Sequence, residues 1–319
     1  MPHNGCPHQC TFCNQRDITG QSYQPTPDDV KATLSKAVND LGDNTRFAEI
    51  AFFGGSFTAI DREYMISLLD ATVPFVDRFL GIRLSTRPDY IDDEVLVLLK
   101  KYKVCTIELG AQSMSDEVLI ANKRGHNSQQ VRDALNLIKS YDINVGLQMM
   151  TGLYKSTPKL DYYTAEEFVR LKPDCVRVYP TVIMKNTELG DYYKEGIFKP
   201  YTLEMSVELC ADILDLFYNN NIDVIRLGLH YSDSLVQNCL FNNYHPAFRE
   251  LCESKIMLRN VKMQLSDKNN IRIYVNPSSV SRLIGQKKSN INALLSKGYS
   301  VNIEKDPSLG KYEVKVEET

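Results

Sequence analysis

Apolar residues follow two alternating rhythms along this 319-residue chain. Short runs rich in β-branched and apolar residues recur at 49–55 (EIAFFGG), 79–86 (FLGIRLST), 104–111 (VCTIELGA), 143–150 (INVGLQMM), 174–180 (DCVRVYP) and 222–229 (IDVIRLGL). Runs of this length and composition predict strands. Between them, apolar positions return every three or four residues, as helices require. TPDDVKATLSKAVNDLG at 26–42 opens with a Thr cap and early acids, a helix start signal. Stretches 92–102, 127–142 and 164–172 follow, and in 202–221 Met205, Leu209, Ile213 and Phe217 fall on one helical face. Strands that are apolar throughout, alternating with helices, predict a parallel sheet covered by helices. About six such units precede residue 230. That suits an α/β fold of the partial (β/α)6 TIM-like barrel type, with an open doubly wound sheet as the alternative.

Composition narrows the class. A chain that is 43% hydrophobic can bury a core large enough for one barrel-type domain, or for a large domain plus a small one. A net charge of −3 and a pI near 6.0 give no global attraction to nucleic acid or membrane. Such a partner would need a local patch. No apolar run approaches the roughly 20 residues of a membrane span, and no signal peptide opens the sequence. A cytoplasmic location without membrane attachment is expected. A reducing compartment keeps thiols free, so a tight cysteine cluster there points to metal or catalysis. Cys105, Cys175, Cys210, Cys239 and Cys252 are scattered and are expected to be small buried hydrophobes.

Barrel enzymes carry their chemistry at the C-terminal ends of the strands. Gly54, Gly55 and Ser56 follow the first run, and Ser85, Thr86 and Arg87 end the second. Glu108 and Gln112 flank the end of the third, and Gln148 ends the fourth. Near the start of the chain, CPHQCTFC places Cys6, Cys10 and Cys13 four and then three residues apart. A loop carried by a barrel strand should follow one, and MPHNG is too short and polar. Either that first strand is truncated, or the barrel opens on a loop. Thiolates are soft ligands that select zinc, copper(I) or iron–sulfur clusters. Structural zinc wants four closed ligands; His3 or His8 could complete the set, but there is no second Cys-x-x-Cys pair. Three cysteines on a cubane would leave one iron open to chelate a substrate, as a four-cysteine electron-transfer cluster cannot. Three incidental thiols are the remaining reading.

The arrangement Cys6, Cys10, Phe12 and Cys13 resembles the signature of the radical S-adenosylmethionine (SAM) superfamily. The resemblance implies a 4Fe–4S cluster on the three cysteines, with SAM chelating the fourth iron. One electron then cleaves the sulfonium, and a 5′-deoxyadenosyl radical abstracts hydrogen from a substrate. It also implies a partial (β/α)6 barrel and a one-electron reductant such as flavodoxin or ferredoxin. The stretches FFGGSFT (52–58), LSTRPDYI (84–91), IELGAQSMSDEVL (107–119), KRGHN (123–127), GLQMMTGL (146–153), YPTVIMKNTELGDYYKEG (179–196) and NYHPAFRELCES (243–254) are similar, in order, to the radical domain of the elongator-complex catalytic subunit and its bacterial relatives. Related patterns occur in the oxygen-independent coproporphyrinogen dehydrogenases. The similarity covers about residues 3 to 259, and the roughly 60 that follow hold nothing like an acetyl-CoA loop. The wobble-uridine carboxymethylation of the elongator subunit is therefore not carried over.

On this basis Phe12, Gly54, Gly55, Ser56, Ser85, Gln112, Arg124 and Gln148 are the expected cofactor contacts. Glycines at 54 and 55 let the backbone approach a ligand closely, or form only a tight strand-end turn. The Arg124 guanidinium matches the cofactor carboxylate bidentately, or makes a surface ion pair. Gln112, Gln148 and Ser85 sit where relatives place polar groups, or satisfy barrel backbone. Glu108 is a candidate partner of substrate or of an arginine. His126 could donate a proton at the barrel mouth, Tyr179 could relay one, and His230 could touch substrate. His245 is expected to brace the last barrel helix.

Two units are expected, a barrel over 1–262 and a C-terminal module over 268–319. The module reads strand, helix, loop, helix, strand, strand, and LIGQKKSNI resembles the core of a KH-type RNA-binding module, with Lys288 in place of its second glycine. Arg282, Gly285, Lys287 and Lys288 would then meet RNA phosphates; the other reading is a cap that only packs on the barrel. Two functions compete: a radical enzyme on RNA, with a tRNA base first, or one on a small metabolite with a structural tail. The scattered remaining cysteines disfavour methylthiotransfer, and there is no room for a cobalamin domain.

Overall fold

The computed structural model describes residues 6, 9–14, 23–266 and 270–318. His3 and His8, the candidate fourth ligands, lie outside them. In chain order the barrel elements are α1 (Pro27–Leu41), β1 (Ile50–Phe52), α2 (Arg62–Asp70), β2 (Ile82–Thr86), α3 (Asp93–Lys101), β3 (Val104–Gln112), α4 (Asp116–Ala121), α5 (Ser128–Ser140), β4 (Asn144–Thr151), α6 (Pro158–Leu171), β5 (Cys175–Pro180), α7 (Glu188–Lys194), α8 (Leu203–Asn219), β6 (Asp223–Leu227), α9 (Asp233–Asn238) and α10 (Phe248–Lys262). The six strands pair in sequence order, every neighbour parallel. This is the expected half-barrel, not a doubly wound sheet. The residues before Cys6, where a strand leading into the cysteine loop is in question, lie outside the described residues.

Local signals explain most boundaries. Thr26 and Asp29 close a capping box on α1, with Pro27 in its first turn, satisfying two orphan amides reciprocally. α6 starts earlier than its apolar period suggests, because Thr157 caps it and Pro158 presets its first turn. On α8, Leu209, Ile213 and Phe217 are buried, but Met205, in the first turn, is exposed. α2, capped by Asp61 and burying Met65, Leu68 and Leu69, is too short for its period to stand out in the sequence.

Register makes the two sheet faces different. Ile82, Leu84, Ile107, Leu109, Leu147, Val176 and Val178 are buried in the core under the helices. The alternate positions line the concave face: Ser85 opposite Glu108, Glu108 opposite Gly146, Gln148 opposite Arg177, and Arg177 opposite Arg226.

The C-terminal elements are β7 (Asn270–Val275), α11 (Val280–Ile284), α12 (Ser289–Leu295), β8 (Ser300–Lys305) and β9 (Val314–Glu318). They form a separate sheet in the order β8-β7-β9, with β8 parallel and β9 antiparallel to β7. Ile271, Ile273, Leu283, Leu294 and Val314 join the same buried core as Ile256, Met257 and Val261 of α10. No helix among the described residues is long and apolar enough to cross a membrane.

Candidate active site

The end of β3 carries an irregularity that builds the site. Pairing with β4 shifts between Leu109 and Gln112, and Gln112 adopts a left-handed φ of 69°. A non-glycine residue held there stores strain of the kind that collects at functional sites. The shift turns two carbonyls toward the residues after α4. Gly110 O accepts from Arg124 Nη2 at 2.5 Å, and Ala111 O meets His126 Nε2 at 3.2 Å. A Cβ at Gly110 would lie 3.1 Å from Gln112 Nε2 and 3.4 Å from Arg124 Nη2, so a side chain there would press on both. Gln148 Nε2 donates to Gln112 Oε1 at 3.3 Å. Two of the expected cofactor contacts are thereby joined on the concave face, while Ser85 lies half-buried on it.

The cysteine loop is fastened to the same rim. Cys13 N donates to Cys10 O at 3.1 Å, closing a turn. Thr11 is bound at three points: its N donates to Asn122 O (3.3 Å), its Oγ1 to Asn122 Oδ1 (2.9 Å), and its carbonyl accepts from Leu189 N (2.8 Å). Asn122 is fixed in turn by Nδ2 bonds to Val118 O and Tyr154 O. Phe12 packs with the cluster of Ile183, Leu189 and Phe198. Arg124 Nη1 points at Cys10 Sγ, 3.1 Å away, and its carbonyl accepts from Arg87 Nη2. Arg87 is gripped bidentately by Asp89, both bonds at 2.9 Å. Cys6 Sγ lies 3.6 Å from the Oγ of buried Ser56. Nearby Gly54 has a φ of 105°, as its strand-end role requires. Arg124 therefore braces the cysteine loop. Asp89 and Asn122 were not singled out from the sequence, and Arg87 only as part of the strand end Ser85-Thr86-Arg87.

Among the described residues no three His, Cys, Asp or Glu side chains converge where a metal ion could sit; Cys6 turns to Ser56 and Cys10 to Arg124. The residues nonetheless fit an iron–sulfur cluster. None of the three cysteines is in a disulfide, they share one short loop, and their thiols are soft donors. Beside Cys10, Arg124 Nε and Arg87 Nη1 are buried without a hydrogen-bond partner, a polar cradle unsatisfied by protein alone. The remaining cysteines behave as expected of small hydrophobes. Cys175, Cys210 and Cys252 are buried, Cys105 and Cys239 partly so. Burial pushes each of these thiols up, Cys210 to about 12.

The weaker candidates are redistributed. Glu108, 2% exposed, is an arginine partner: it accepts from Arg83 Nη1 and Arg177 Nη2 at 2.8 and 2.9 Å, and from Arg177 Nε. Both its oxygens are engaged, so it is not a free acid or base. His126 is buried at the end of β3, against the Ala111 carbonyl. Burial, then the charges of Arg124 and Arg87, lower it to about 4, so it is neutral at pH 7 and is no ready proton donor. Tyr179 stands half-buried on the concave face, opposite Met150. His230 is largely exposed, and partial desolvation of its ring, then the charges of Arg226 and Arg177, push it down. His245 accepts from Ala247 N through Nδ1 at 3.1 Å, bracing the start of α10.

In the C-terminal module the four expected RNA contacts separate. Arg282 Nε donates to Glu253 Oε2 at 2.5 Å and Nη1 to Ser278 O at 2.7 Å. A Cβ on Gly285 would lie 2.8 Å from Ser254 Oγ. Both residues are therefore half-buried against α10. Lys287 and Lys288 are exposed, on a left-handed turn with φ of 51° and 60°. Lys288 thus takes the conformation a glycine would take there.

Comparison with known proteins agrees with this geometry. The radical SAM superfamily matches residues 1–161, and the radical SAM C-terminal domain residues 173–257. The tRNA uridine(34) acetyltransferase of Dehalococcoides mccartyi is 27% identical over 65% of this chain and 53% of its own length. Elongator complex protein 3 of Schizosaccharomyces pombe is 26% identical over 67% and 48%. The chain thus spans about half the length of these curated relatives. Among solved structures, the archaeal Methanocaldococcus infernus Elp3 with an N-terminal deletion (1–46) superposes with a TM-score of 0.62 at 22% identity, covering 73% of this chain and 59% of the other. Coproporphyrinogen III oxidase (HemN) of Escherichia coli gives 0.51 at 16% identity, covering 69% and 51%. With its cysteine loop fixed on the rim of a six-stranded half-barrel, the chain belongs to the radical SAM superfamily of enzymes, whose members bind a 4Fe–4S cluster and SAM.

Proposed function

We propose that this chain modifies RNA by radical chemistry, with a base of tRNA as the substrate. The observation that carries the reading is the exposed Lys287–Lys288 turn on a module locked to α10. Glu253 of α10 binds Arg282, Lys311 Nζ (3.0 Å) and Tyr312 OH (2.9 Å) of that module. Two adjacent cations at a fixed place relative to the barrel suit a phosphate backbone. Support comes from relatives named for tRNA uridine(34).

Cys6, Cys10 and Cys13 would hold the cluster, and Gly54, Gly55, Ser56, Ser85, Gln112 and Gln148 would line SAM. When bound, the two supply one-electron, hydrogen-abstracting chemistry. Arg124 holds Cys10 and the β3 irregularity together, and Phe12 seats the loop on its apolar cluster. Glu108 keeps Arg83 and Arg177 in place. A flavodoxin or ferredoxin class protein would deliver the electron.

Filter binding of bulk tRNA tests this. Wild-type protein should bind, and Lys287→Glu with Lys288→Glu should weaken binding roughly tenfold, more at low salt. Unchanged binding removes the module from the interface. A second reading, a small-molecule substrate with a structural module, is favoured by the packing of Arg282 and Gly285 on α10; absence of tRNA binding by the wild type would select it.

A further inference from the structure

Arg177 of β5 and Arg226 of β6 are direct register partners across parallel strands. Their side chains leave the same, concave face side by side. Like charges opposed in this way destabilise a sheet, and both residues are partly buried. The nearby carboxylates do not neutralise the pair. Glu49 binds Arg83, and Glu108 is shared between Arg83 and Arg177. Three guanidinium groups therefore face two carboxylates, and Arg226 has no carboxylate partner among the described residues. Its Nε donates to Gly228 O at 2.7 Å, which lays the guanidinium toward the C-terminal rim of β6. The Arg177 guanidinium is held in place by Glu108 and by the Phe53 ring, 4.9 Å from its centroid. Burial, and the charges of Arg177 and Arg249, act against the charged form of Arg226, with Tyr179 and Tyr244 opposing them.

We propose that Arg226, with Arg177 beside it, forms a subsite in the half-barrel for a phosphate group of the substrate. A guanidinium presents paired donors that match a phosphate. An anion placed between the two would offset the repulsion of their like charges. Gln148, an expected cofactor contact, is the register neighbour of Arg177 on the other side, so the held phosphate would sit beside the reacting end of the site. The source of the phosphate, an RNA strand, rests on the function proposed above; a small phosphate ester is the other source.

The test compares wild type, Arg226→Gln and Arg226→Lys in tRNA binding at several salt concentrations, and in thermal melts with inorganic phosphate. Arg226→Gln should melt about 1–3 °C higher than wild type without ligand, since it removes a like-charge contact. It should bind tRNA about tenfold more weakly, with the slope of log affinity against log salt reduced by roughly one, and Arg226→Lys should retain most of the affinity. If wild type and Arg226→Gln bind tRNA alike, with equal slopes, the subsite is overturned and the RNA reading stands. If wild type binds no tRNA, the RNA reading fails and the phosphate melts decide. Protection of wild type but not of Arg226→Gln then supports the subsite for a small phosphate ester, and equal protection, or none, overturns it. Should Arg226→Gln fold poorly, the same comparisons are read from Arg226→Ala and from competition of inorganic phosphate with tRNA on the wild type.

Discussion

Arg124 sets one guanidinium nitrogen 3.1 Å from the sulfur of Cys10, while its other terminal nitrogen holds the Gly110 carbonyl at 2.5 Å. One side chain thereby ties the cysteine loop to the irregular end of β3. Partners of this kind, which orient a metal ligand without being one, change metal affinity about 10–100-fold when removed. Arg124→Gln should therefore lose most of its iron and sulfide after anaerobic reconstitution and desalting, and Arg124→Lys should lose less. Iron and sulfide per chain, with cluster absorbance, measure this. Full retention in Arg124→Gln would show that the loop is held without it.

What could be read from the sequence followed from local pattern. The six strands stood out because each is apolar on its helix-covered side, and the cysteine loop because its spacing is dense. Other features depend on partners distant in the chain. Glu108 meets Arg83 and Arg177, 25 and 69 positions away, and only the strand register brings them together. Asn122 meets Thr11 across 111 positions and lies in no motif. In the module the order of elements was legible, but which face packs on α10 was not. Arg282 and Gly285 thus read as open, although Glu253 and Ser254 cover them. Met205 shows the same limit: helical period identifies a face, not whether another element reaches its first turn.

The left-handed Gln112 has a measurable cost. A side chain at positive φ costs about 1 kcal/mol or more relative to glycine. Gln112→Ala and Gln112→Gly both lack the amide that Gln148 donates to, so their difference isolates the backbone. Gln112→Gly should be more stable than Gln112→Ala by about 1 kcal/mol in urea unfolding. Equal stabilities would mean that the strand end relaxes when the side chain goes.

Glu253 predicts how the structure responds to acid. Burial raises its carboxyl, but bonds from Arg282, Lys311 and Arg249 outweigh that and bring it from 4.5 to about 2. A carboxyl depressed in the folded state stabilises the protein above its unfolded value. That stabilisation is lost as pH falls from about 4.5 toward 2, and amounts to about 3 kcal/mol. Glu253→Gln should lose stability at pH 7 by about 3 kcal/mol or more, because Arg282 and Lys311 are left without their partner. Its own stability should change less with pH between 4.5 and 2 than that of the wild type. Parallel pH profiles for the two proteins would sink this account.

Lys288 separates shape from charge in the module. Its φ of 60° is one that glycine adopts freely, so Lys288→Gly should relieve about 1 kcal/mol of strain and raise the melting temperature. The same change removes one exposed cation. If that cation meets an RNA phosphate, tRNA binding should weaken, and the slope of log affinity against log salt should fall by roughly one. Lys288→Arg retains the charge and the strain, so it should keep both the slope and the wild-type melting temperature. A stabilised Lys288→Gly that binds tRNA with an unchanged slope would mean that no phosphate sits at the turn. The lysine would then be one more solvated charge on a module whose job is to cover α10.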